Sequence, residues 1–188
     1  MITITAEQIE RVNLILSSVP GGIEKALSST IRRANNTVRS ETLKGITTVY
    51  AITRQTVRAE TTIKVRTQSS DGGIVGTVLF AGHKILLYRF NVSPTIPIQR
   101  ATVSAAVLAG NGRTQFQDAF IARMQSGHIG MFERNDSKRL PISEFMGPST
   151  AQMAGNSIVL ADVEEKAQEV INKRVEHEIT RILNGYGG

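Results

Sequence analysis

The chain has no cysteine and no tryptophan. Without cysteine, disulfides and thiolate metal sites are excluded, which suits a reducing compartment. With aromatics at only 5% and no tryptophan, there is little material for the stacking platforms on which single-stranded nucleic acid lies. No zinc-finger or helix-turn-helix pattern is present either. The N-terminal MITITAEQIERV lacks a basic segment and an apolar core, so no secretory signal is expected. The longest apolar run, Ile74 to Gly82, is broken by Gly76 and Thr77 and is too short for a bilayer. A soluble protein without a membrane partner is expected.

Catalytic patterns are also missing. His83, His128 and His177 lie on separate segments without ligand spacing, and His128 with Glu133 and Asp136 makes no recognisable metal set. No metal and no cofactor are expected. The serines lack a nucleophile elbow, and Asp118 has no evident acid/base partner. SSDGGIVG and AGNG lack the lysine and the strand–loop–helix context of a phosphate loop. No catalytic residues are assigned, and an enzyme is not expected.

What is present is an ordinary globular composition, 40% hydrophobic and 20% charged over 188 residues. That length supports one core and one domain, residues 1–188, with residues 1–20 a candidate helical arm. The net charge of +6 is unevenly spread. Lys25, Arg32, Arg33, Arg39, Lys44, Arg54, Arg58, Lys64 and Arg66 face only Glu41 and Glu60 in the same stretch. From Glu144 onward acids lead, with Asp162, Glu164, Glu165, Glu169, Glu176 and Glu178 against Lys166, Lys173, Arg174 and Arg181. Such polarity fits contact with nucleic acid, head-to-tail pairing of copies, or a solvated surface.

Along the chain, Thr5 and Gln8 form a capping-box pattern before a stripe of Ile9, Val12 and Leu16 that stops at Val19-Pro20-Gly21. A second helix starts near Gly22, with Ile23, Leu27, Ile31, Ala34 and Val38 on one face and Arg32, Asn36 and Arg39 opposite. Leu43 to Thr61 reads as an extended link through Gly45 and a short helix over residues 54–60 capped by Thr53. Strands follow over Thr62 to Arg66, Ile74 to Phe80 and Lys84 to Phe90. Pro94 and Pro97 make Asn91 to Gln99 a loop or an edge. Ala101 to Val107 closes on Gly110-Asn111-Gly112, a hairpin signal that predicts antiparallel pairing with a strand over Gln115 to Met124. After Gly147-Pro148, Leu160, Val163, Ala167, Val170, Ile171, Val175, Ile179, Ile182 and Leu183 form a helical stripe ending at Asn184-Gly185. The class is α+β: N-terminal helices, an antiparallel sheet of about four to six strands, and a long amphipathic C-terminal helix packed on it. Val170, Ile171, Ile179 and Leu183 are its expected packing residues.

Between Arg113 and Pro148 two alternating segments flank Gln125-Ser126-Gly127, and Asn135-Asp136-Ser137 turns the chain again. AFIARM, SGHIGMFER, a short polar loop and then RLPISEFMGPS, in that order and spacing, resemble the bacteriophage minor tail protein Z family, the tail-completion proteins of long-tailed phages. The likeness extends from about Ile23 to the C-terminus. Its motif residues here are Phe120, Gly127, His128, Gly130, Phe132, Arg134, Pro141, Gly147 and Pro148. The resemblance implies a structural virion protein at the head-proximal end of the tail, made in the host cytoplasm, that helps join tail to head. Its implied partners are other tail and neck proteins and further copies of itself, in a ring that is hexameric if it follows the tail's symmetry. Phage DNA is a candidate partner through phosphate contacts by Arg32, Arg39, Arg54, Arg58, Lys64 and Arg66. The alternative is a non-specific basic nucleic-acid-binding protein acting alone.

Overall fold

A computed structural model describes residues 6–70 and 73–185. The Thr5 cap and the Asp71-Gly72 centre of a turn lie outside the described residues. The chain divides into two compact units, one of residues 1–42, 63–79 and 160–188, the other of residues 43–62 and 80–159.

The first unit is mostly helical. The helix α1 (Ala6–Leu16) buries Val12 and Leu16 completely. The helix α2 (Gly22–Val49) starts after Gly21, whose φ of +69° suits glycine, and buries Ala26, Leu27, Ile31 and Ala34. The last helix, α5 (Ser157–Leu183), supplies Ile171, Val175, Ile179 and Ile182 to the same cluster, with Ile74 packed at its edge. Burying each such side chain stabilises by about 1.5–3 kcal/mol. The stripe thus rests chiefly on helices, with Ile74 the contribution of the strands β1 (Thr62–Ser70) and β2 (Gly73–Ala81), which pair with each other. The stripe's expected last member needs correcting. Leu183 is 54% exposed, because Ile182 takes the inward position and the helix ends there; Gly185 follows with a φ of +80°. Val170 is half-buried.

In the second unit the expected link through Gly45 is instead helix. The helix α2 continues to Val49 because Leu43 and Ile46 extend its buried face. Glycine inside a helix costs about 1 kcal/mol relative to alanine. Here, however, a Cβ at Gly45 would stand 3.0 Å from Val159 Cγ1, so the small residue lets another helix come close. Thr47 and Thr48 hydroxyls return hydrogen bonds to Lys44 O at 2.9 and 3.1 Å. Thr53 caps α3 (Arg54–Ala59), accepting from Thr56 N at 3.2 Å.

The remaining strands are short and antiparallel: β3 (Lys84–Leu86), β4 (Asn91–Ser93), β5 (Val103–Ala106), β6 (Thr114–Phe116), β7 (Ala119–Arg123), β8 (Ile129–Arg134), β9 (Ile142–Glu144) and β10 (Met146–Ser149). They are not one sheet. Pairing runs β10-β3, β4-β5-β6 and β7-β8-β9. The expected strand over Lys84 to Phe90 gives way at Leu87 to a turn of 3-10 helix. The expected strand over Gln115 to Met124 breaks at Gln117-Asp118: its first part pairs with β5, and its second leaves for another sheet. The break puts Asp118 in solvent, where its charge needs no partner. The edge strand β4 precedes Pro94, as the prolines led one to expect. Between β10 and α5 lies α4 (Thr150–Ala154), held by a capping box in which Ser149 Oγ accepts from Gln152 N at 3.2 Å and Gln152 Oε1 accepts from Ser149 N at 2.9 Å.

Candidate functional site

Most of the family-motif residues, from Phe120 to Pro141, lie on or beside the sheet β7-β8-β9, while Gly147 and Pro148 lie in β10. Antiparallel register sets Phe120 opposite Phe132 and Phe132 opposite Glu144, so alternate side chains of three strands share one face. The rings of Phe120 and Phe132 lie 6.1 Å apart, and the Arg134 guanidinium sits over Phe120 at 5.1 Å. At the other end the His128 ring meets Phe132 edge-on at 6.2 Å, and its Nε2 lies 2.7 Å from Glu144 Oε1. The row therefore runs Arg134, Phe120, Phe132, His128, Glu144. Gly130 makes it possible. A Cβ there would fall 2.0 Å from Glu144 Oε1 and 2.9 Å from Phe132 Cζ, so a side chain would occupy the carboxylate's own position. Gly127 turns the chain with a φ of +85°, and Met124 N donates to His128 O at 2.7 Å to close the hairpin.

Pro141 follows a cis peptide just before β9. Gly147 and Pro148 lie in β10, where a Cβ on Gly147 would come within 2.6 Å of the Phe90 ring. Beside the row is an open cleft of about 930 Å³, lined by Phe120, Arg134, Asp118, Asp136 and the segment from Pro97 to Thr102. Arg100 on its lip has a φ of +56°, a left-handed conformation that costs a non-glycine residue about 1–2 kcal/mol. The row offers rings, one cation and a paired histidine, groups suited to packing and to recognising a surface.

The six basic candidates are all exposed. Arg32 and Arg39 on α2 and Lys64 and Arg66 on β1 belong to the first unit, and Arg54 and Arg58 on α3 to the second. Within the first unit, Asn35 Nδ2 donates to Arg66 O at 3.0 Å and to Thr67 Oγ1 at 3.3 Å, fastening β1 to α2.

Several charged pairings escape sequence reasoning, among them Arg11–Glu176 at 3.1 Å and Lys166–Glu41 at 3.3 Å, and two others bear on the site and the core. The first of these two is His128 with Glu144, a contact across strands that depends on register and has no local spacing to signal it. The second is Glu178, completely buried, with Arg174 at 2.7 Å, Arg181 at 2.8 Å and Ser29 Oγ at 2.9 Å. Burial pushes its carboxyl up. The hydrogen bonds from Ser29 and Arg181 and the charges of both arginines outweigh it and hold the pKa below the ordinary carboxylate value. An acid four residues before a base on one helix gives the neighbouring Asp162–Lys166 pair, 2.7 Å apart, and the looser Glu169–Lys173 pair at 3.9 Å. Spacing of three or four in either order places Arg174 and Arg181 beside Glu178.

The family model of the prophage minor tail protein Z (GPZ) matches residues 7–186. The chain belongs to that family. The match takes in every motif residue and both compact units, and it makes the chain a structural protein of a phage tail and hence of the virion. No curated protein and no solved structure matches it. Among the described residues, no helix of this family member is long and apolar enough to cross a membrane.

Proposed function

We propose that this tail protein is a tail completion protein, built into the head-proximal end of a long-tailed phage tail, where it helps join tail to head. The observation that carries the reading is the family match over residues 7–186. In this reading the chain acts as a packing part rather than a catalyst and needs no cofactor. It meets other tail and neck proteins, and it works as a closed ring of copies, six if it follows tail symmetry. Charge polarity supports the ring: basic α2 and β1 on one copy and acidic α5 on the next make a heterologous contact, which closes when the rotation does. Surface ion pairs contribute only about 0–1 kcal/mol each, so such a ring must also bury apolar area and can assemble on the tail rather than in solution.

A second reading has one observation behind it. Arg32, Arg39, Arg54, Arg58, Lys64 and Arg66 are all exposed, which suits sequence-independent contact with DNA phosphates. Electron cryomicroscopy of the virion neck tests both readings. Several copies in a closed ring between tail and head are expected. One copy per tail, or a location at the far end, overturns the proposal. Tight salt-sensitive DNA binding by isolated monomers, together with absence from the virion, moves the assignment to the nucleic-acid reading.

A further inference from the structure

We infer that the outer face of the β1–β2 hairpin is a docking surface for a second copy of this chain, and that it seats on the acidic outer side of the second copy's α5. This rests on the ring reading and names the surfaces that would make it.

The hairpin has an inner and an outer face. A Cβ on Gly76 would stand 2.5 Å from Asn35 Oδ1 and 2.6 Å from Ile31 Cγ2, and Ile74 packs on the helical cluster, so these positions look toward α2. Period-2 alternation turns Val75, Thr77 and Leu79 the other way. Val75 is 56% and Leu79 52% exposed. On β1, Thr67 is fastened to Asn35, so Lys64 and Arg66 share the outward side, and both are exposed. The outer face thus combines two aliphatic side chains with two cations, and the described strands carry no acid.

Among the described residues each nine-residue strand pairs only with the other, which leaves a second edge of each without a strand partner. A two-stranded sheet with apolar side chains in water is a surface proteins ordinarily cover. The composition chooses the cover. Phosphates would meet Lys64 and Arg66 but leave Val75 and Leu79 in water, whereas a protein surface with carboxylates beside aliphatic stems satisfies both. In this chain α5 offers such a side, with Glu165 and Glu169 exposed along it, Glu169 lying 3.9 Å from Lys173, and Leu183 beyond them; Glu176 on the same side is held by Arg11 of α1 at 3.1 Å. Nine residues at 3.3 Å and two strands side by side cover roughly 300 Å². That is below the ~800 Å² per partner of a stable complex, so the contact forms when the tail gathers the copies.

The absence of cysteine makes the test direct. Full-length Thr77→Cys and Glu169→Cys chains, each introduced with the other into the phage in place of the resident protein, are oxidised on assembled tails. A disulfide-linked heterodimer is expected on a non-reducing gel. Lys64→Glu/Arg66→Glu should abolish incorporation into tails, and adding Glu165→Lys/Glu169→Lys should restore it. Val75→Asp/Leu79→Asp should also abolish incorporation while leaving the circular dichroism and melting of the free chain unchanged. Thr77→Cys homodimers overturn the inference in favour of hairpin-to-hairpin contact. Several copies per tail without the heterodimer overturn these surfaces and leave the ring standing, whereas one copy per tail removes both. Charge-reversed chains that assemble normally but no longer bind DNA give the face to nucleic acid.

Discussion

The helical cluster of the first unit and the strand row of the second keep their order by different means. In the first, Ile171, Val175, Ile179 and Ile182 recur at helical spacing and close on α1 and α2 by filling space, around one buried carboxylate. In the second, Arg134, Phe120, Phe132, His128 and Glu144 come from three strands and are aligned by register, with Gly130 and Gly147 giving room for their neighbours. A cluster held by volume should fail when atoms are removed. A row held by register should fail when atoms are added.

The largest effect is therefore expected from truncation in the first unit. Ile179 is 4% exposed, and Ile179→Ala should cost about 2–5 kcal/mol. Leu183, one turn later and 54% exposed, should lose no more than about 0.5 kcal/mol on the same change. Chemical denaturation of both variants checks the pair. Equal midpoints would mean that α5 is not packed through its buried stripe.

The complementary test adds a methyl group in the second unit. Gly147→Ala should cost about 1–3 kcal/mol, since its Cβ would meet the Phe90 ring, a rigid plane, at 2.6 Å. Gly130→Ala should cost less, because the nearest atom is the end of the Glu144 side chain, which can swing away by giving up its bond to His128. A double-mutant cycle with Glu144→Ala, which removes both the obstructing atoms and the bond to His128, separates the cases. Coupling of about 0.5–3 kcal/mol is expected for Gly130→Ala with Glu144→Ala, and near zero for Gly147→Ala with Glu144→Ala. Coupling in neither pair would show that Gly130 does not serve the His128–Glu144 contact.

This difference also explains what could be read from the chain alone. Helical stripes lie within one segment, so Val12, Leu16, Leu27, Ile171 and Ile179 were legible by spacing, and so was the exposed basic side at Arg32 and Arg39. The continuation of α2 was not, because Gly45 breaks the helical pattern locally and its compensation, Val159, lies far along the chain. Likewise, Asn111-Gly112 signalled a hairpin, but nothing local says that the chain changes sheets at Gln117-Asp118. The motif residues were recognised together by their order, yet their assembly into one row needed the pairing of Phe120, Phe132 and Glu144. The S-T-A-Q capping box of α4 was present and went unread.

The smallest expected effect concerns the charge inside the volume-held cluster. Glu178 has its pKa lowered because the Ser29 and Arg181 hydrogen bonds and the two arginine charges overcome the cost of burial. A carboxyl whose folded pKa lies below its unfolded value, about 4.3 for glutamate, contributes stability above that value and loses it as pH falls through the folded pKa. Glu178→Gln keeps a similar shape and can still accept from Ser29 Oγ, but it carries no charge at any pH. The parent should therefore be more stable than Glu178→Gln near neutrality, with the gap narrowing below about pH 4.3 and closing once both side chains are neutral. Arg174 and Arg181 are 34% and 38% exposed, so water takes up part of what the carboxylate leaves and keeps the gap modest. Thermal melts of both proteins across this range isolate the residue, because every other carboxyl titrates in both. A gap that stays constant from neutral to strongly acidic pH would mean that Glu178 contributes through shape alone, leaving the helical unit held by volume throughout.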